Sequence, residues 1–405
     1  MTAVLFMVPF GVGAESPIQA NPPRGPIPRT YFGLHIHHLW QDTGWPSIDF
    51  GTWRLWDAHV TWANLEPHPN VYDFSLLDKY VAVAQQHQVE LVLTLSGTPT
   101  WASARPSEVP IHEGGVKGTP GLAAEPSSLA SWEDFVRTVA TRYKGKIRYY
   151  EIWNEPMSRP FFSGQPQDLV AMTRSASTIL KGIDPANKVL SPPVSGDDKG
   201  LSWFNNFLRA GGGQYVDIYA FHFYVGGEPE KMVPKIEAAR SLLRTYGQDT
   251  KPMWSTEAGW QISQLGPQVA SDYVARAFLV AWPFGLSRYI LYSWDHPQMG
   301  IAPNGNESTP MVQAYATVEQ WLLGAIVTRC VGMPNGLWIE NLTLPGGGQA
   351  KVIWSTGGPI RLTKDHVGDA KVYTTLDRQT VPIAPGSFPQ ATNSPILLSM
   401  DGRPR

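Results

Sequence analysis

The feature that most constrains the fold of this chain is an alternation. Short apolar, β-branched runs are followed repeatedly by stretches whose apolar residues recur at helical spacing. Residues 31–36 read as a first strand and 52–56 as a second. Ser75–Gln86 reads as a helix with Leu76, Leu77, Tyr80, Val81 and Ala84 on one face, capped by Asp73 or Ser75. Glu90–Leu95 is a third strand. Residues 128–143 form the clearest helix, with Leu129, Trp132, Phe135, Val136, Val139, Ala140 and Tyr143 in phase and Gly145 as the stop. Residues 149–156 open as a fourth strand and halt at Pro156, which cannot donate to a sheet ladder. The series continues with a helix at 168–181, strand 188–191, helix 202–210, strand 216–224, helix 231–246, strand 252–257, helix Pro267–Ala281, strand 288–294 and a closing helix at 311–323.

Eight strands with intervening helices predict an α/β fold, a (β/α)8 TIM barrel over residues 31–324. A doubly wound open sheet is the competing architecture, but no Gly-rich phosphate loop follows the first strand. Beyond Ala325 the pattern becomes short strands between Gly, Pro, Asn and Asp turns, at 336–344, Gln349–Ser355, 370–375 and Ile396–Ser399. That predicts a small C-terminal β-sandwich domain over 325–405, to which the Pro-rich lead 15–30 adds a strand. Residues 1–14 are apolar, too short to span a bilayer, and end in Val12-Gly13-Ala14. They read as a signal peptide remnant, so the expected location is secreted or periplasmic; the plainer alternative is a buried N-terminal strand.

Composition excludes several classes. A net charge of −2 gives no electrostatic footprint for nucleic acid or an anionic membrane. No later segment is long and apolar enough for membrane insertion. Cys330 is the only cysteine, so no internal disulfide forms. The 16 tryptophans exceed ordinary usage, and an indole face matches the C–H face of a sugar ring.

The chemistry sits at strand ends. Strand four runs Tyr149-Tyr150-Glu151-Ile152-Trp153-Asn154-Glu155-Pro156, and strand seven ends on Glu257-Ala258-Gly259. In a TIM barrel the C-terminal strand ends face the site, so Glu155 and Glu257 flank the mouth. Paired carboxylates there suit glycoside hydrolysis. A gap of about 5–5.5 Å implies retention of configuration, and one of roughly 6.5–9.5 Å implies inversion.

Trp153-Asn154-Glu155-Pro156 on strand four, with Glu257 closing strand seven, resembles clan A of the glycoside hydrolases. Within that clan the chain is most similar to family 39 and to related endoglycosidases of bacterial exopolysaccharide systems, across the barrel and the trailing β-domain. The resemblance implies a retaining hydrolase in which Glu155 is the general acid/base, Glu257 the nucleophile and Asn154 the partner of the sugar 2-hydroxyl. It implies further that Arg54 lies beside the nucleophile, that His222 and Tyr224 match a His-x-Tyr whose tyrosine orients it, that Trp294 is the stacking platform and that Trp101 binds substrate. For Arg54 the plainer reading is a structural ion pair, and for each tryptophan it is core packing. Trp40, Trp45 and Trp260 are candidates for outer subsites, and Glu151 for a network inside the barrel. His37 and His38 are read as sugar-hydroxyl partners or as satisfied core histidines.

One rival uses the same strand ends. His35-Ile36-His37 is the His-x-His of metal-dependent amidohydrolases, and Glu155, His222 and Asp295 would complete its ligands. Strand five, with Val189-Leu190-Ser191-Pro192, offers no histidine, and Glu257 and Asn154 would be left without a role. A catalytically dead carbohydrate-binding barrel is a second rival. The expectation is therefore a monomeric hydrolase of a polysaccharide or oligosaccharide, endo-acting, with no metal and no cofactor. An exo-acting β-xylosidase-like or arabinofuranosidase-like enzyme is the alternative.

Overall fold

The computed structural model describes residues 16–41, 44–109 and 119–400. The apolar stretch 1–14 and part of the long loop after strand three lie outside them.

Eight parallel strands curl into a barrel: one Phe32–Leu34, two Thr52–Leu55, three Glu90–Leu95, four Tyr149–Ile152, five Lys188–Leu190, six Tyr219–His222, seven Met253–Ala258 and eight Leu286–Leu291. The ladder runs five, four, three, two, one, eight, seven, six and ends on a further piece, Val194–Ser195. That piece is the second half of strand five. Pro192 and Pro193 separate the halves because neither supplies an N–H to a ladder. The first half pairs with strand four and the second with strand six. A Leu190–Ile218 bridge, with the Ser191 N–H donating to the Ile218 carbonyl at 3.0 Å, closes the cylinder between them.

One long helix follows each of strands two to eight, with the single turn Trp62–Leu65 added after strand two, while among the described residues the first connection holds only the 3₁₀ turn Leu39–Gln41. Ser75–Gln86 and Pro267–Ala281 lie where apolar spacing predicts them. Two helices start earlier than expected because their caps lie further upstream. Pro166–Ile183 opens with proline in its first turn and Asp168 accepting from the Gln165 N–H at 2.7 Å. It runs through Gly182 and ends before Pro185, since the residue ahead of a proline is pushed out of the helical region. Asp198–Arg209 is capped by Asp197, which accepts from the Gly200 N–H at 2.9 Å.

The C-terminal part is a seven-stranded antiparallel sheet, with the small ribbon of Ile360–Arg361 and Gln390–Ala391 beside it. Its first strand, Ile326–Gly332, is one the sequence reading left unassigned, and Ile18–Gln19 of the lead pairs with it. Alternation along the strands sorts the two faces. Trp338, Val352, Trp354 and Leu397 join the barrel's own apolar cluster. Leu337, Ile353, Ile396 and Leu398 pack on the other side with Leu362, Val367 and Ala391.

Candidate active site

Strand four leaves the sheet in an unusual backbone. Trp153 has φ 65° and Glu155 φ 42°, left-handed values that are rare for bulky side chains and that cluster at functional sites. The Trp153 indole is buried and donates Nε1–H to the Phe161 carbonyl at 2.8 Å, which anchors this turn. Between the two residues, Asn154 is held at the mouth.

Arg54, fully buried at the end of strand two, gathers the polar side chains. It donates from Nε to Glu151 Oε2 at 2.6 Å, from Nη1 to Glu257 Oε2 at 2.8 Å and from Nη2 to Asn154 Oδ1 at 2.7 Å. With Oδ1 committed, the Asn154 amide has its NH2 as the group left for a ligand. The other oxygen of Glu257 accepts from the Tyr224 hydroxyl at 2.7 Å. His222, two residues before Tyr224, places Nδ1 at 2.9 Å from Glu155 Oε1 and 4.0 Å from Glu257 Oε1. One oxygen of Glu155, one nitrogen of His222 and one oxygen of Glu257 lie within 4.8 Å of one another. Side chains from strands two, four, six and seven thus converge on one hollow.

Burial and neighbouring charges shift the titration of several of these groups. Burial pushes the Glu257 carboxyl up, and repulsion from Glu155 adds to this; His222, Arg54 and the Tyr224 hydroxyl pull it down without cancelling the rise. His222 is lowered to about 4, chiefly by burial, so its ring is neutral at physiological pH. Burial would lower Arg54, but the carboxylates of Glu151 and Glu257 outweigh it and hold the guanidinium charged. Asp57, just past strand two and also in a left-handed backbone, is raised to about 6 by burial.

Of the residues expected at the site, Glu155, Glu257, Asn154, Arg54, His222 and Tyr224 come together, with Glu151 beneath them. His37 lies beside them, its ring 4.8 Å from that of Tyr292, while its backbone N–H binds Asp295 at 2.8 Å. Burial lowers its pKa to about 3, and among the described residues its ring nitrogens have no hydrogen-bond partner. His38 also donates its backbone N–H to Asp295, at 2.8 Å.

Two of the expected tryptophans are held by packing contacts. Trp294 is 2% exposed and offers no open face as a platform. Strand eight ends at Leu291, three residues before Trp294. The partly exposed ring next to the site is Tyr292, which packs by His35 and His37 and donates its hydroxyl to Asp57 at 2.9 Å. Trp101 is half-buried, donates Nε1–H to the Glu66 carbonyl at 3.0 Å and sets its ring against Trp62. Trp45 likewise stacks between Phe50 and His87, and Trp40 is exposed beside His59. Sequence reasoning missed Tyr292 and Asp57. A tyrosine just past strand eight and an acid just past strand two were the available signals.

The amidohydrolase ligand set is not assembled. The group that could hold a metal among the described residues is Glu155, His222 and Glu257, without His35, His37 or Asp295. His35 points Nε2 at the Thr256 carbonyl at 3.0 Å, so that nitrogen carries the proton and cannot ligate.

Comparison with known proteins places the fold among glycoside hydrolases. The family described as glycosyl hydrolase catalytic core matches residues 127–282, and the β-galactosidase family described as glycosyl hydrolase 42 matches 54–160. No curated protein matches the chain. Among solved structures it is similar to a family 39 glycoside hydrolase from Bacteroides cellulosilyticus WH2, with TM-score 0.72 and 16% identity over 93% of this chain and 81% of that one. It is similar also to a family 39 enzyme from Xanthomonas axonopodis pv. citri, with TM-score 0.62 and 14% identity over 96% and 99% of the two chains. A monomeric β-xylosidase from Caulobacter crescentus CB15 gives TM-score 0.63 and 14% identity over 93% and 97%.

Proposed function

Built on a glycosyl hydrolase catalytic core with the fold of family 39, the chain is an O-glycoside hydrolase, and we propose that it cleaves a polysaccharide or oligosaccharide with retention of configuration. The carrying observation is the approach of Glu155 and Glu257, whose nearest oxygens lie within 4.8 Å. That spacing suits direct attack by one carboxylate and leaves too little room for the water an inverting enzyme holds, which needs about 6.5–9.5 Å.

In the first step a Glu257 oxygen attacks the anomeric carbon. The glycosidic C–O bond breaks, its electron pair goes to the leaving oxygen, and that oxygen takes a proton from Glu155. In the second step Glu155 takes a proton from water, the water oxygen attacks the anomeric carbon, and the pair of the breaking ester bond returns to Glu257. His222 assists by holding Glu155 in place, its Nδ1 2.9 Å from Glu155 Oε1. Arg54 and Tyr224 each hold one oxygen of the nucleophile, so its direction of attack is set before substrate arrives. The Asn154 NH2 is placed to donate to the sugar 2-hydroxyl.

Glu155→Gln and Glu257→Gln are each expected to lower kcat by roughly 10²–10⁴-fold with the melting temperature little changed, the scale of a lost acid, base or nucleophile. Azide added to Glu257→Ala should yield a glycosyl azide of inverted anomer. Hydrolysis by either purified glutamine variant at near the wild-type rate refutes the assignment. Xylan and xylo-oligosaccharides are the first substrates to try, since the Caulobacter crescentus neighbour is a β-xylosidase. That name also favours a second reading, release of single terminal units, which product masses over time distinguish from internal cleavage. Action outside the cytoplasm and a monomeric state belong to the same proposal and are checked by cell fractionation and light scattering.

A further inference from the structure

We infer that the hollow between the loops after strands six and seven is a second saccharide subsite, built for a neutral sugar unit of the same chain that is cut between Glu155 and Glu257. The inference rests on the reading of those two acids given above. The hollow has a volume of about 650 Å³, within the range of small-molecule sites. Tyr224, Gly227, Trp260, Gln264, Leu265 and Tyr273 are among its walls. It is continuous with the catalytic mouth: Tyr224 lines it and binds Glu257 through its hydroxyl, and Gly259, two residues beyond Glu257, lines it too.

The chemistry of the wall selects the occupant. Tyr273 is half-buried and turns ring surface to the hollow for the C–H face of a sugar, with the buried Trp260 packed against it at a centroid distance of 5.6 Å and 56°. Gln261 and Gln264 are exposed at the rim, and an amide both donates and accepts, as a sugar hydroxyl does. None of the described lining residues is charged. Lys231, whose ammonium lies next to Gly227, and Arg276, bound by Glu228 and Glu230, stand outside that lining, so a uronate carboxylate would meet no cation in the wall itself and a neutral unit is favoured. A hollow of about 610 Å³ between the barrel and the β-domain has no aromatic side chain in its wall and lacks this character.

The surface is also preformed. Trp260 donates Nε1–H to the Gly227 carbonyl at 2.8 Å. The following loop is gripped by Arg276, which pairs with Glu228 and Glu230, and Glu230 accepts from Trp354 Nε1 of the β-domain at 2.6 Å. Ordering such a wall in advance lowers the entropy lost on binding.

The test compares kcat/KM on neutral oligosaccharides with kcat/KM on monoglycosyl fluorides, whose single-atom leaving group needs no second subsite. Gln264→Trp fills the hollow from an exposed rim position, and Tyr273→Ala removes part of its aromatic surface. In both variants the ratio of oligosaccharide to fluoride activity is expected to fall roughly ten- to a hundredfold, the scale of one lost stacking contact or a blocked subsite. Circular dichroism confirms that each variant is folded, and Gln264→Trp carries the test where Tyr273→Ala is not. An unchanged ratio overturns the inference, as does a wild type that prefers chains placing a uronate in this hollow. A wild type that cleaves no glycoside, fluorides included, removes the reading of the two acids and this inference with it.

Discussion

Glu257 meets a donor on each oxygen, the Tyr224 hydroxyl at 2.7 Å and Arg54 Nη1 at 2.8 Å, and both act against a burial that favours its protonated form. A nucleophile works only when ionised, so activity is lost as pH falls through its pKa. That acid limb should lie above the ordinary carboxylate range because the pKa is raised. Tyr224→Phe removes a hydrogen bond that favours the charged form, so the pKa should rise again and the acid limb of kcat/KM should move to higher pH. A hydrogen bond to a charged group contributes about 1.5–3 kcal/mol, so kcat/KM at the optimum is expected to drop roughly ten- to a hundredfold. A pH–rate profile settles this; a limb that stays in place or moves down contradicts the role given to Tyr224.

Elements were legible where several local signals agreed. Glu90–Leu95 and Pro267–Ala281 have the expected bounds because apolar spacing, a turn or proline at the start and a break at the end all coincide. Strand five was only half legible. Its second half, Val194–Ser195, is two residues long and follows two prolines, and it exists because strand six offers an open edge to pair with. The resemblance put His222 and Tyr224 forward together, the strand-end rule did so for Glu155 and Glu257, and the fold brings all four side chains to one end of the barrel. At strand eight the ladder stops at Leu291, and just beyond it Tyr292 is partly exposed while Trp294 is buried. Which donor meets which oxygen was beyond local reading, because Arg54 reaches Glu257 across a sequence separation of 203 residues. Only closure of the barrel brings them together.

At the scale of the molecule the barrel and the β-domain share one apolar cluster. Trp338 and Trp354 stack at 5.7 Å, Trp338 meets Phe284 of the barrel at 6.3 Å, and all three belong to the cluster that holds the barrel strands. Dissolving either part exposes the other's core, so urea unfolding followed by tryptophan fluorescence and by far-ultraviolet circular dichroism should give coincident single transitions. Two separated transitions would mean that the interface contributes little. A molecule that unfolds as a unit keeps strands four and seven in fixed register, and the spacing of Glu155 and Glu257 depends on that register. The spacing is the central claim, and the stereochemistry of the product reads it directly. Proton NMR during hydrolysis of a substrate of known anomeric configuration should show first a hemiacetal of that same configuration, with the other anomer growing in later by mutarotation. First appearance of the opposite anomer would contradict direct attack by Glu257.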